Sequence, residues 1–234
     1  MSSVRSSDVN GIGTRKEKSL HAELKRRYAG DNGFTEISID SFVCDAIRED
    51  GEIVEVQTGS FAPLIPKVTA LAKKARVRIV HPVAASRTIE TYSPEGALLR
   101  SRKSPKRGSY WDLFAALVYA PHLARTPGIA IEVALVEDAE TRVEDGRGSW
   151  RRKGVSIVDR RLTAVRQTYL FSTIDDYARL LPETLPTPFS ASDLAKAAGI
   201  TPVLARKSLY VLARLGVAEA AGKRGNAKLF VRRT

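Results

Sequence analysis

The chain of 234 residues contains one cysteine, Cys44, and one methionine. With no second thiol it forms no internal disulfide, which suits a reducing compartment and makes the cytoplasm the expected location. Long apolar runs are also missing. The longest, such as Ala115 to Pro121, are far too short to span a bilayer, so no membrane partner is expected. Residues 1 to 19 are polar and Ser-rich, so no secretory signal is expected there. Acids are scarce beside bases, 26 against 38, for a formal charge of +12. The RNP aromatic pattern and the KH loop of RNA-binding modules are absent, and no internal repeat is visible.

What is present bounds the answer further. At 43% hydrophobic residues the chain can bury a real core, which excludes global disorder. Its length fits an average domain plus a small one. The positive excess attracts polyanions through counterion release, although charge alone separates neither DNA, RNA nor an anionic membrane. Two stretches concentrate it: Arg100, Arg102, Lys103, Lys106 and Arg107, and then Arg147, Arg151, Arg152, Lys153, Arg160, Arg161 and Arg166. Each reads as a phosphate grip or as a solvated face.

Apolar spacing places a helix over residues 16 to 28 through Leu20, Leu24 and Tyr28, after a loose tail at 1 to 14. Alternation then predicts a three-stranded meander, Thr35–Ile39, Phe42–Arg48 and Glu52–Gln57. A helix over Pro63–Ala75 and a strand Val77–His81 closed by Pro82 follow. Farther on, we expect a strand Ile89–Tyr92, a basic loop Ser93–Ser109 and a helix Tyr110–Leu123. A strand Ile129–Val136, a polar loop Glu137–Gly154, more strand over Val155–Phe171 and a short helix Ile174–Leu181 complete the middle. The proline-rich LPETLPTP reads as a linker.

The second hairpin carries the candidate chemistry. A three-residue turn, Glu49-Asp50-Gly51, pairs residues whose numbers sum to 100 and sets Asp45 opposite Glu55, roughly 5 Å apart at Cβ on one face. A two-residue Asp50-Gly51 turn would instead send Asp45 to the other face. Carboxylates that close call for a cation between them, and Mg²⁺ or Mn²⁺ is the expected cofactor. Asp40 is expected to shape a turn, and Cys44 to be a small buried hydrophobe.

The order helix, meander, helix, strand, with Asp45 followed by Glu55-x-Gln57, resembles the PD-(D/E)xK nuclease superfamily in its E-x-Q variant, over residues 15 to 85. The stretches LHAELKRRY, EVQTGSF, SRKSPKRG and GKRGNAKLF resemble a bacterial family that joins such a core to a winged helix. The resemblance implies an α/β fold, a restriction-endonuclease-like mixed sheet flanked by helices, elaborated over 86 to 182. It also implies Asp45, Glu55 and the Val56 carbonyl as metal ligands. Gln57 stands where the commoner pattern has a lysine and offers only oriented hydrogen bonds. Lys67 restores the missing charge if it points inward, and is otherwise a solvated helix lysine. Glu23 matches a fourth acid of resolvase-like members; His21 and Lys25, at i and i+4, form a rival pair.

Residues 183 to 234 have the grammar of a winged helix-turn-helix. Ser190 or Ser192 caps a helix Ala191–Ala198, Gly199 ends it, and Thr201 opens a second helix with Leu204, Leu209, Leu212 and Leu215 inward. Strands Val217–Ala220 and Lys228–Arg232 flank a basic tip. From Pro186 onward basic residues number nine and acidic ones two. Arg206 and Lys207 would face DNA, with Lys223 and Arg224 on its backbone; a protein-binding wing is the other reading. Together these features point to a metal-dependent DNA nuclease, gripping phosphate through Arg102, Lys103, Lys106 and Arg107. The alternative is a non-catalytic DNA-binding or regulatory protein, and a homodimer suits either.

Overall fold

The computed structural model describes residues 19–233, so the loose tail and the first turn expected for the opening helix lie outside the described residues. The chain opens with helix α1 (Ser19–Ala29) and strands β1 (Phe34–Ile39), β2 (Phe42–Ile47) and β3 (Ile53–Val56). A 3-10 turn and helix α2 (Ile65–Leu71) lead to strand β4 (Val77–Tyr92) and strand β5 (Leu98–Lys103). Helix α3 (Leu113–Leu117) lies between 3-10 turns at Tyr110–Asp112 and Pro121–Arg125, where Pro121 ends the single helix expected across the region. Strands β6 (Ile129–Val143) and β7 (Ser156–Phe171) and helix α4 (Ile174–Ala178) follow.

These strands build a seven-stranded mixed sheet, β1-β2-β3-β4-β6-β7, with β5 also on β4. The β3–β4 and β4–β6 pairs are parallel and the others antiparallel. On one face Leu20, Leu24 and Tyr28 of α1 pack against Ala46, Val54, Val56 and Val80. On the other, Val68 and Leu71 of α2 meet Cys44, Ile53, Val77 and Ile79. The chain is thus α/β, a large mixed sheet with helices on both faces.

Three expectations from the sequence are overturned. Strand β4 runs through Pro82 to Tyr92 rather than stopping at His81. It pairs with β3 only over Val77–Val80 and with β5 only from Thr88 onward, while β6 lines its whole other edge. Pro82 falls in the gap between β3 and β5, where its missing N–H breaks no ladder. The basic loop contains β5, and the polar loop contains Glu137–Val143 of β6, nearly half of that strand.

Near the C-terminus, β8 (Phe189–Ser190) precedes helices α5 (Ala191–Ala198) and α6 (Pro202–Arg214) and the hairpin of β9 (Ala218–Arg224) and β10 (Ala227–Arg232). Ser190 caps α5 in a reciprocal box with Asp193, Gly199 takes the left-handed C-cap at φ 63°, and Thr201 caps α6. The hairpin is longer than expected and turns at Gly225-Asn226, so Lys223 and Arg224 sit in β9 rather than at the tip. Leu209 and Leu212 of α6 share one buried cluster with Leu113, Phe114 and Leu117 of α3. The proline-rich segment is tied down as well: Leu181 is buried, and Arg232 Nη2 donates to the Leu181 and Pro182 carbonyls at 3.1 Å. Among the described residues no helix is long and apolar enough to cross a membrane.

Gly108 closes the loop after β5 by donating its N–H to the Ala84 carbonyl at 2.9 Å. A Cβ there would lie 2.4 Å from Val83 Cγ1 and 2.8 Å from the Ala84 oxygen. Gly108→Ala should therefore destabilise the protein by about 1–3 kcal/mol, an overpacking cost. Gly59→Ala, with nothing within 4 Å of its would-be Cβ, should stay within about 0.5 kcal/mol. Thermal unfolding of the two variants checks the contrast.

Candidate functional site

The β2–β3 turn has the geometry the sequence predicts. Gly51 takes φ 77°, its N–H donates to the Arg48 carbonyl, and Arg48 N–H donates to the Glu52 carbonyl. Ala46 opposes Val54 and Ile47 opposes Ile53, so residue numbers sum to 100. Paired register stops there, one residue short of Asp45 and Glu55. The Val56 N–H, next in line for a ladder bond, instead donates to Asp45 Oδ2 at 2.8 Å. Asp45 N–H lies 3.4 Å from Glu55 Oε1. The strands fork, and the two carboxylates occupy the fork.

The fork has a backbone cause. Across from Asp45 on β1, Glu36 takes φ 57°, and the β1–β2 register skips that pair. Cys44 and Ala46, which regular alternation would set on one face, consequently join different buried clusters. Asp45 turns to α1: Oδ1 lies 3.3 Å from Lys25 Nζ, and Oδ2 lies 3.3 Å from His21 Nε2. Glu55 turns to α2, with Oε2 2.5 Å from Lys67 Nζ. The expected side-by-side placement on one face is therefore corrected: the acids straddle the fork, each attended by cations of a different helix.

His21 Nε2 also lies 2.9 Å from the Val56 carbonyl. Both neighbours are acceptors, so Nε2 carries a proton and bridges carbonyl and carboxylate. Burial pushes Asp45 upward. The His21 hydrogen bond, the Val56 N–H and the His21 and Lys25 charges together outweigh it, and its carboxyl rests below the ordinary aspartate value. Glu55 is shifted the other way. Burial dominates, the Asp45 charge adds to it, and Lys67 only partly offsets them, leaving Glu55 above the ordinary glutamate value. Glu55 is 2% exposed on its side chain and Asp45 17%.

Not every candidate from the sequence gathers here. Lys67 points inward, bridging Glu55 and the Val43 carbonyl. His21 and Lys25 meet Asp45, whereas Glu23 does not: its carboxylate accepts the Leu162 N–H of β7 at 2.9 Å. Gln57, just past β3, spends its amide on the Ser60 carbonyl at 2.6 Å, and its own carbonyl faces His81 Nδ1 at 2.6 Å. Its amide N–H ties β3 to the loop that follows. Arg102, Lys103, Lys106 and Arg107 are exposed on or beside β5, and Arg107 Nη1 bonds the Ser104 carbonyl. On α6, Arg206 is exposed and Lys207 half-buried. Lys223 is exposed, while Arg224 leans to Asp193 at 3.5 Å. Among the described residues no group of three or more His, Cys, Asp or Glu side chains assembles for a metal.

A second charged cluster escaped the sequence reading. Asp138 and Glu140 are buried on β6 and hold Arg87 through contacts of 2.6 to 3.0 Å, with Arg142 and Arg160 also on Glu140. The i, i+2 spacing of Asp138 and Glu140 was the available signal, hidden inside a stretch that looked like loop.

Residues 18–172 match a family model described as a domain of unknown function, DUF8091. A protein of Treponema pallidum (strain Nichols), itself described as uncharacterised, is 31% identical over 219 residues, spanning 94% of this chain and 86% of that protein. No solved structure matches.

The opposed shifts of the two acids give a direct test by carboxyl ¹³C titration. Asp45 should titrate below an ordinary aspartate and Glu55 above an ordinary glutamate. His21→Ala should raise Asp45, and Lys67→Met should raise Glu55 further. For stability the signs differ: the Asp45 contribution is lost as pH falls through its lowered folded value, and the Glu55 contribution is lost as pH rises through its raised one. Asp45 titrating above Glu55 would contradict the fork geometry.

Proposed function

The chain belongs to the DUF8091 family, and from the geometry of its β2–β3 fork we propose that it is a metal-dependent DNA nuclease with a winged-helix docking unit at residues 183–234. The observation that carries the reading is geometric: two acids at the fork of β2 and β3, Asp45 on the Val56 N–H and Glu55 on the inward Lys67, in environments that shift them in opposite directions. Such pairs mark divided acid–base roles. The Lys67 ammonium, brought in from α2, supplies the charge that Gln57 cannot, in the restriction-endonuclease-like arrangement the sequence resembles.

The donor set suits a hard divalent ion. Asp45 Oδ2 and the Val56 carbonyl both face His21 Nε2, so two oxygens already converge on one proton-bearing atom. Mg²⁺ and Mn²⁺ need one or two carboxylates, with waters and phosphate oxygens completing the shell. When bound, the ion would polarise the scissile phosphodiester and acidify a water. Asp45 and the Val56 carbonyl would hold it once His21 gives up the two oxygens. Glu55 would take the proton of the attacking water as the bond from phosphorus to the leaving oxygen breaks, and solvent would protonate that oxygen. Lys67 and Lys25 steady the added negative charge.

Docking to DNA is supported by α6. Val203, Arg206, Tyr210 and Arg214 are its exposed stripe, at helical spacing, beside exposed Lys223 and Lys228 of the hairpin. A helix-turn-helix with a basic hairpin presents such a stripe to duplex DNA. The second reading, a DNA-binding protein that does not cut, draws on a different observation: both Asp45 oxygens already face nitrogen donors of the chain itself.

Cleavage of linear, circular, single-stranded and branched DNA with Mg²⁺, Mn²⁺ or EDTA separates the two. Asp45→Asn and Glu55→Gln should each lower metal-dependent cleavage by about 10²-fold or more. Cleavage retained in both would refute the site, and wild-type binding without cleavage would select the second reading. For docking, Arg206→Ala with Arg214→Ala should weaken duplex affinity and flatten the log–log salt slope by about 2. An unchanged slope would assign the stripe to a protein partner.

A further inference from the structure

Between the end of β3 and the start of β5, one edge of β4 is left without a strand, and a cleft of about 420 Å³ opens among the described residues. Asp45, Glu55 and the side chains that hold them are not on its lining, although Ser60 and His81 of its wall bond Gln57 just past β3. The volume falls within the range of small-ligand sites. Its walls differ in character. Leu20, Val83, Ala116 and Val136 form an apolar side, whereas Arg87, Lys106 and Arg160 bring three cations.

The arginines are preorganised from behind. Arg87 sets Nε and Nη2 on the Asp138 carboxylate at 2.6 Å each and Nη1 on Glu140 at 3.0 Å, and Arg160 Nε meets Glu140 at 2.8 Å. Both acids are almost wholly buried. Each guanidinium has five N–H donors, so both keep further donors beyond these bonds. Arg87, Arg142, Arg160 and Lys106 against Asp138, Glu140 and Asp112 leave one positive charge, which favours an anion at this wall. Asp112 accepts the Ser109 N–H at 2.9 Å.

Neutral donors complete the wall. Ser60 Oγ accepts the Ala62 N–H and Ser104 Oγ accepts the Lys106 N–H, so each hydroxyl keeps its hydrogen for another acceptor. His81 gives Nδ1–H to the Gln57 carbonyl, which makes Nε2 of the neutral ring an acceptor. An amphiphilic anion is what such walls would take.

We propose that this cleft binds a nucleotide phosphate monoester, with Arg87, Lys106 and Arg160 around the phosphate and Leu20, Val83 and Val136 against sugar and base. The inference does not rest on the nuclease reading. The ligand is either a free nucleoside 5′-monophosphate or the 5′-phosphorylated end of a strand.

Isothermal titration of the full chain tests it, with the four deoxynucleoside 5′-monophosphates, the matching nucleosides, inorganic phosphate, and short single strands with and without a 5′-phosphate. Saturable binding of monophosphates or of the 5′-phosphorylated strand is expected, at least about tenfold tighter than the nucleoside or hydroxyl-ended counterpart. Lys106→Ala and Arg160→Ala should each weaken it by about tenfold with the circular dichroism spectrum unchanged. Tighter binding of the phosphorylated strand than of the free nucleotide assigns the cleft to strand ends; the reverse assigns it to soluble nucleotide. No saturable heat from either source, equal affinity for inorganic phosphate, or wild-type affinity in both variants would overturn the proposal.

Discussion

The architecture of the candidate site depends on one hydrogen bond, from the Val56 N–H to the Asp45 carboxylate. A regular ladder would send that N–H to a backbone carbonyl of β2. With a side chain accepting it, β2 and β3 part after Ala46 and Val54 without leaving a buried donor unsatisfied. The fork frees the Val56 carbonyl for His21, turns Asp45 toward α1, and leaves Glu55 beside Lys67. Substituting an apolar residue for Asp45 would cost more than an ionic contact, because the β3 backbone would lose its acceptor. Asparagine keeps an oxygen at that position, which makes it the more discriminating replacement.

The register of this hairpin was legible because it is set by local turn chemistry. Gly51 supplies the positive φ of a three-residue connection, and every later pairing follows by counting. The side to which Asp45 turns was not legible. It depends on the left-handed backbone of Glu36 on the neighbouring strand, a conformation that a glutamate rarely signals. Helical spacing gave α1 and its buried face of Leu20, Leu24 and Tyr28 correctly. It could not say that Glu23 would be drawn to the Leu162 N–H, since β7 lies about 140 residues away in sequence.

The long strands were misread for a related reason. Hydrophobic alternation identifies a strand only when its inward positions are apolar. Beyond Val136 the inward positions of β6 are Asp138 and Glu140, buried against Arg87, Arg142 and Arg160. Each acid is matched to cations on neighbouring strands, so the pattern is recoverable only once β4 and β7 are known to flank β6. Arginine suits that place because its fork meets a carboxylate through two parallel bonds, as Arg87 does with Asp138. Buried pairs of this kind add little net stability against an apolar core. What they contribute here is geometry, fixing guanidinium groups along the wall of a cleft.

The C-terminal helices are packed against the rest of the chain. Helix α6 is covered by α5 and β9 and by α3 with the adjoining 3-10 turns, which leaves Pro202, Val203, Arg206, Tyr210 and Arg214 exposed. A helix held this way has little freedom to reorient, because turning it would expose Leu209 and Leu212 of the cluster shared with α3. Exposed groups on the body, such as Lys106 at the cleft, are therefore held at a fixed relation to the stripe. The basic tract that looks diffuse in sequence is thus a set of side chains whose backbone is fixed by apolar packing on the opposite face of the helix.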